Sequence, residues 1–208
     1  MSRPFYCFDG VDGAGKTTQI QLFHDWLLEL GHDVVLCRDP GTTALGEEIR
    51  KLLLSHSDTR IDMRAEMFLY MSARAQLVEE IIRPALNAGK TVIADRYLLA
   101  NVVYQGHAGG MDPKQIWQVG DVATDTILPA ITYVLDLPPQ VAAGRRVGEP
   151  DRVEGRGEPF LTRVRNGFLA EAQDRSDIVI IDAAASPQEV QARIRSAAGQ
   201  PIKAGDTP

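Results

Sequence analysis

Short apolar runs alternate with longer stretches of helical period along most of the chain. "FYCFDG" (5–10), "DVVLCRDP" (33–40), "TVIADRY" (91–97), "ITYVLDLPP" (131–139) and "DIVIIDA" (177–183) are apolar on successive positions and close on glycine, proline or charge. Runs of that kind suit strands covered on both faces. Between them lie helical patterns. Residues 16–30 set Ile20, Phe23, Leu27 and Leu30 on one stripe, with Gly31 at the end. Further helices are expected over 44–54, 63–89, 113–124, from Val141 onward, over 160–174 and over 186–199, the last with Pro187 in its first turn. Pro84 should kink or break the long 63–89 segment, because it has no N–H to donate and its ring crowds the preceding turn. Strands alternating with helices predict an α/β fold with a five-stranded, mostly parallel sheet flanked by helices.

The sequence contains no internal repeat and no linker that would divide it, so a single domain is expected over 1–198. One stretch breaks the composition: "GRRVGEPDRVEGRGEP" (144–159), rich in Gly and Arg, reads as a short mobile lid. The tail 199–208 reads as disordered. With 208 residues, 44% hydrophobic and 24% charged, the chain has the balance of an ordinary globular protein. Its net charge of −6 argues against nucleic acid as a partner, and any anion must be met by locally gathered arginines. Cys7 and Cys37 each sit inside a strand pattern and read as buried, reduced thiols. No run approaches the ~18 apolar residues of a membrane span, and "MSRPFYCFDG" is too short an apolar run for a secretory leader. No membrane is therefore expected, and a cytoplasmic location is.

Gly10, Gly15, Lys16 and Thr17 satisfy G-x-x-x-x-G-K-[ST], with an apolar strand before the loop and an amphipathic helix after it. Such a loop turns its backbone N–H groups inward on a phosphate, and the helix N-terminus adds partial positive charge. Gly10, Val11, Asp12, Gly13, Ala14, Gly15, Lys16, Thr17 and Thr18 are thus the expected nucleotide cradle. Lys16 should reach the β- and γ-phosphates and the Thr17 hydroxyl should hold Mg²⁺. The loop does not identify the acceptor. The N-K-x-D stretch by which GTPases read guanine is absent.

"VIADRY" puts Asp95 and Arg96 at the carboxyl end of a buried strand, where ligands of open α/β sheets gather. Asp95 is the expected second magnesium group, and Arg96 the clamp for a phosphate. Tyr70 and Arg74, four residues apart, share a helix face. Taken alone, Tyr70 fits the core better than a ligand. Asn101, Tyr104 and Gln105 follow the "DRY" strand end and could hydrogen-bond a base and wall off a sugar.

"FDGVDGAGKTTQ", "RDPGTTALGEEIRKLLL", "FLYMSARAQLVEEIIRPAL", "VIADRY", "VVYQG", "VLDLPP" and "DRVE" together resemble, in order and spacing, the bacterial thymidylate kinases from about residue 5 to 195. The resemblance implies a P-loop nucleoside-monophosphate-kinase fold, ATP-dependent phosphorylation of dTMP to dTDP, Mg²⁺ and a homodimer. By position it implies that Asp12 approaches the 3′-hydroxyl of dTMP and that Arg50 and Arg96 surround its phosphate. It places Tyr70 where relatives stack a phenylalanine on thymine, and Arg74 on the thymine edge. Asn101 and Gln105 fall beside the base, and Tyr104 against the sugar. Asp39-Pro40 stands for a Glu-Pro turn whose proline is cis in the family.

The sequence also departs from the family pattern. "QGHAGG" lacks an arginine that relatives carry after Gln105, and Gly13 stands where some relatives have a loop arginine. The catalytic positive charge is then expected from the lid, with Arg145, Arg146, Arg152 and Arg156 as candidates and Arg146 and Arg152 preferred. Expected catalytic groups are Lys16, Asp95, Arg96, Arg146 and Arg152, which would stabilise charge in an in-line transfer. The alternatives are a kinase for another monophosphate or small metabolite, or a nucleotide-dependent switch that binds a partner.

Overall fold

The computed structural model describes residues 5–55, 60–145 and 151–199. Five strands form one parallel sheet: β1 (Phe5–Asp9), β2 (Val34–Arg38), β3 (Thr91–Asp95), β4 (Ile131–Asp136) and β5 (Ile178–Asp182), in the spatial order β2-β3-β1-β4-β5. β1 is central, so the chain leaves its carboxyl end where the strand order switches direction, the usual ligand crevice of such sheets.

Alternation along β1 sends Tyr6 and Phe8 to one face and Phe5 and Cys7 to the other. The first face packs on Phe23 and Leu27 of α1 (Lys16–Glu29) and on Phe168 of α8 (Glu158–Asp174), with Tyr133 of β4 between them. Each such fully buried apolar side chain contributes roughly 1.5–3 kcal/mol. The second face packs on α3 (Met63–Leu77) and α6 (Pro113–Thr124) through Met71, Leu77 and Ile116. Cys7 and Cys37 are free and buried, as expected, and burial pushes both thiols up.

The remaining helices are α2 (Ala44–Leu54), α4 (Arg83–Asn87), α5 (Leu98–Asn101), α7 (Pro139–Arg145) and α9 (Pro187–Ala197). Two of them start on side-chain caps. Ser186 caps α9 with a reciprocal bond to Glu189, and Thr43 caps α2 by accepting from the Gly46 amide.

The helix expected over 63–89 is interrupted. α3 passes through a π turn (Val78–Ile82) into α4, directly ahead of Pro84. Proline cannot donate to the residue four back, and the wider π turn accommodates the missing bond. A second π turn (Val102–His107) continues α5, in a region where no helix was expected. Residues 98, 99 and 101–106 are all buried, so no polar face marks the helical period.

Candidate active site

The phosphate loop runs from the end of β1 into α1. Gly15 has φ 98° and offers no side-chain cap, so the first amides of α1 are left to an anion. Gly10 has φ +128°, and a Cβ there would lie 2.6 Å from the Leu135 carbonyl oxygen of β4. Gly13 is tighter: φ is +86° and a Cβ would come 2.2 Å from the Ala142 carbonyl oxygen of α7. A side chain in the loop at this position would press on the backbone of α7 at a φ that L residues avoid.

Lys16 Nζ lies inside the loop, donating to the Gly10 carbonyl (3.2 Å), the Val11 carbonyl (3.1 Å) and Asp12 Oδ1 (3.0 Å). Arg96 joins it from the end of β3. Its Nη1 donates to Asp9 Oδ1 at 2.9 Å and to the Gly10 carbonyl at 3.0 Å, and its Nη2 to Asp12 Oδ1 at 2.7 Å. Arg96 holds φ 67°, a left-handed conformation uncommon outside glycine, and its guanidinium sits 5.2 Å over the Tyr104 ring. Against the penalty of burial, Arg96 and Lys16 hold the Asp12 carboxyl well below the usual range. For Asp9, which is wholly buried, burial wins over the same two cations and pushes the carboxyl up to about 6.

Two cavities meet at these residues. One, about 760 Å³, is lined by the phosphate loop, Arg38, Asp95, Arg145 and the start of α9. The other, about 250 Å³, is lined by Tyr70, Arg74, Ala100, Asn101, Tyr104 and Gln105, with Asp151 and Val153 on the lid side. Asp12, Asp39, Arg50 and Arg96 line both.

Arg74 is 1% exposed in the wall of the smaller cavity. Its Nε donates to Asp39 Oδ2 at 2.6 Å and its Nη2 to the Tyr97 carbonyl at 3.3 Å. Asp39 and Pro40 are joined by a cis peptide, and Arg50 Nη1 donates to the Pro40 carbonyl at 3.0 Å. Asn101 Nδ2 donates to Gln105 Oε1 at 2.6 Å, and Gln105 Nε2 donates to Glu66 Oε1 at 2.8 Å. Burial pushes the Tyr70 hydroxyl up, so it faces the cavity as a neutral ring.

The structure does not bring every expected lid group to the phosphate loop. Arg145 does line the larger cavity, donating to the Ala183 carbonyl at 3.0 Å. Arg152 turns away: its Nε donates to the Leu53 carbonyl at 2.6 Å and its Nη2 pairs with Glu66. Arg156 also pairs with Glu66. A buried carboxylate on α3 draws both guanidiniums toward the smaller cavity. Arg146 lies outside the described residues. Glu66 and Asp9 were not foreseen; the one signal was an acidic residue inside a strongly apolar segment.

Thr17 and Asp95 line the larger cavity beside the loop and offer hard oxygens suited to a magnesium ion. Asp95 Oδ1, like Asp9 Oδ2 at the end of β1, is buried without a hydrogen-bond partner among the described residues.

A family model described as Thymidylate kinase matches residues 8–194. The thymidylate kinase of Maridesulfovibrio salexigens is 37% identical over 209 residues, covering 96% of this chain and 96% of its own. That of Symbiobacterium thermophilum is 42% identical over 194 residues, covering 92% and 90%. The crystal structure of thymidylate kinase from Ehrlichia chaffeensis superposes with a TM-score of 0.76 at 30% identity, covering 94% of this chain and 98% of that one. A five-stranded parallel sheet, a phosphate loop on its central strand and a match over nearly the whole length agree: the chain belongs to the thymidylate kinase family.

Proposed function

We propose that the protein transfers the γ-phosphoryl group of ATP to dTMP, giving dTDP and ADP. The observation that carries this reading is the pair of cavities sharing Asp12, Asp39, Arg50 and Arg96: a triphosphate-sized cleft on the loop and a nucleoside-sized pocket joined to it. Lys16 exchanges its loop carbonyls for β- and γ-phosphate oxygens, and Arg96 with Arg50 holds the acceptor phosphate in line. An oxygen of that phosphate forms the new bond to phosphorus as the bond to the ADP oxygen breaks. The acceptor is already an anion near neutral pH, so no strong base is required, and the protein's contribution is positioning and charge stabilisation. Magnesium, held by Thr17 and Asp95 with Asp9 behind them, would offset charge on the phosphate oxygens. Arg145, on the wall of the larger cleft, is the lid-side arginine placed to add charge there.

The smaller cavity has the polarity of a thymine. Arg74 offers N–H donors suited to a carbonyl oxygen. Asn101 Oδ1, buried and without a partner among the described residues, offers an acceptor suited to the ring N3–H. Cytosine presents an acceptor at N3 and an amino group at C4, so both contacts would be mismatched. Tyr70 stacks on the ring and Tyr104 packs against the sugar, with Asp12 near its 3′-hydroxyl. Two copies are expected to associate through the outer face of α3, where Phe68 is 53% exposed. No helix among the described residues is long and apolar enough to cross a membrane.

The test is ADP release with dTMP, dUMP, dCMP and dGMP at equal concentration. The proposal expects dTMP to be preferred and ADP release to be negligible without an acceptor. Equal turnover of dCMP would overturn the base reading. Acceptor-independent hydrolysis at the same rate would favour a switch.

A further inference from the structure

Glu66 lies in the first turn of α3 and is 0% exposed. Burial of a carboxylate is strongly unfavourable unless cations and donors compensate it. Here Oε2 takes one N–H from Arg152 and one from Arg156, and Oε1 takes the Gln105 amide at 2.8 Å. The pairing has a directional consequence. A carboxylate can only accept hydrogen bonds, so Gln105 must turn its NH₂ toward Glu66. Its carbonyl oxygen then faces Asn101, which must answer with its own NH₂, and does so at 2.6 Å. Asn101 Oδ1 is the group left over, and it is the buried acceptor without a partner among the described residues.

We propose that Glu66 is a positioning residue that sets the polarity of the Gln105–Asn101 amide pair, and through it the preference of the pocket for a base with a ring N–H; this rests on the dTMP reading of that pocket. Glu66 touches no substrate. It acts by forbidding the reversed arrangement, in which Asn101 would present its NH₂ and favour a base with a ring acceptor such as cytosine. A neutral glutamine at position 66 can donate as well as accept, and so permits both arrangements.

The experiment is a two-site cycle in the full chain, reading KM for dTMP, KM for ATP and the ratio of kcat/KM for dTMP over dCMP. Glu66→Gln is expected to lower that ratio by about tenfold or more, the size of one misdirected hydrogen bond to a charged or buried group, with KM for ATP changed by less than about twofold. Asn101→Asp cannot donate to Gln105 while Glu66 holds the amide in place, and is expected to raise KM for dTMP about tenfold or more. In the double variant Gln105 is free to turn, giving its NH₂ to Asp and its oxygen to Gln. KM for dTMP should then return to within about threefold of the wild type. A merely structural Glu66 would give no such rescue.

Asn101→Asp with an unchanged KM, or a double variant no better than either single one, overturns the proposal. The first of these arms decides even where Glu66→Gln fails to fold. A wild-type enzyme that prefers dTMP while the cycle shows no rescue defeats the Glu66 proposal alone. A wild type indifferent between dTMP and dCMP defeats the base reading with it.

Discussion

Arg74 and Asp39 form an ion pair at 2.6 Å, with side chains 2% and 0% exposed. Arg74→Ala would leave the Asp39 carboxylate buried beside a void. Breaking a buried pair on one side costs about 3–5 kcal/mol, against a total of about 5–15 kcal/mol for a domain. The variant should fold with a thin margin. The carboxyl has one escape, which is to take up a proton. Burial already pushes Asp39 up in the wild type, with Arg74 opposing it, so removal of Arg74 pushes it further. A folded-state value raised above the unfolded one means that the folded protein binds more protons, and stability falls as pH rises. The deficit of Arg74→Ala should therefore be smaller near about pH 5.5 and grow toward about pH 8, by at most about 1.4 kcal/mol per unit. Adding Asp39→Asn removes the stranded charge and should recover about 2 kcal/mol or more near about pH 8, leaving out the part of the pH dependence that Asp39 carries. Urea unfolding of the four proteins at both pH values measures this. A deficit below about 1 kcal/mol without pH dependence, or additive singles, would show that no charge is stranded at Asp39.

Three further outcomes are expected. Lys16→Ala should lower kcat by about 10² to 10³ while dTMP binding, followed by calorimetry, stays near wild type; a kcat within about tenfold would contradict the role given to Lys16. Gly13→Ala should cost about 1–3 kcal/mol, since its Cβ meets the Ala142 carbonyl at a positive φ. A melting temperature unchanged from wild type would show that α7 yields. Asp9, raised to about 6, should cost the wild type stability as pH rises from about 4 to about 7, by roughly 2 kcal/mol relative to Asp9→Asn in metal-free buffer. Parallel unfolding curves at both ends of that range would exclude it.

Much of this arrangement was legible in residue patterns. The loop glycines with Lys16, the charges that end "VIADRY", and the Tyr70–Arg74 spacing each carry a local rule that survives without knowledge of the fold. So does the sheet, because five apolar runs separated by helices leave few other options. What escaped has physical reasons. The helical run from Leu98 to His107 is buried at all but Ala100 and His107 and shows no periodicity. Asp9 ends an ordinary strand, and only its contact with Arg96, 87 residues away in sequence, distinguishes it. Glu66 on a helix reads as a solvated charge until tertiary packing closes Gln105 and two lid arginines over it. Arg152 was preferred, and Arg156 a candidate, for a place beside ATP because lid arginines can reach it. Their direction is set by a long-range partner that pattern reading does not see.

The two adjoining cavities imply direct transfer across Asp12 and Arg96. It is tested most directly by the stereochemistry of the transfer, with ATP made chiral at the γ-phosphorus by isotopic oxygen and sulfur and dTMP as acceptor. A single in-line displacement predicts that the label appears in dTDP with inverted configuration. Retention would require a phosphorylated protein intermediate and would rule out direct transfer.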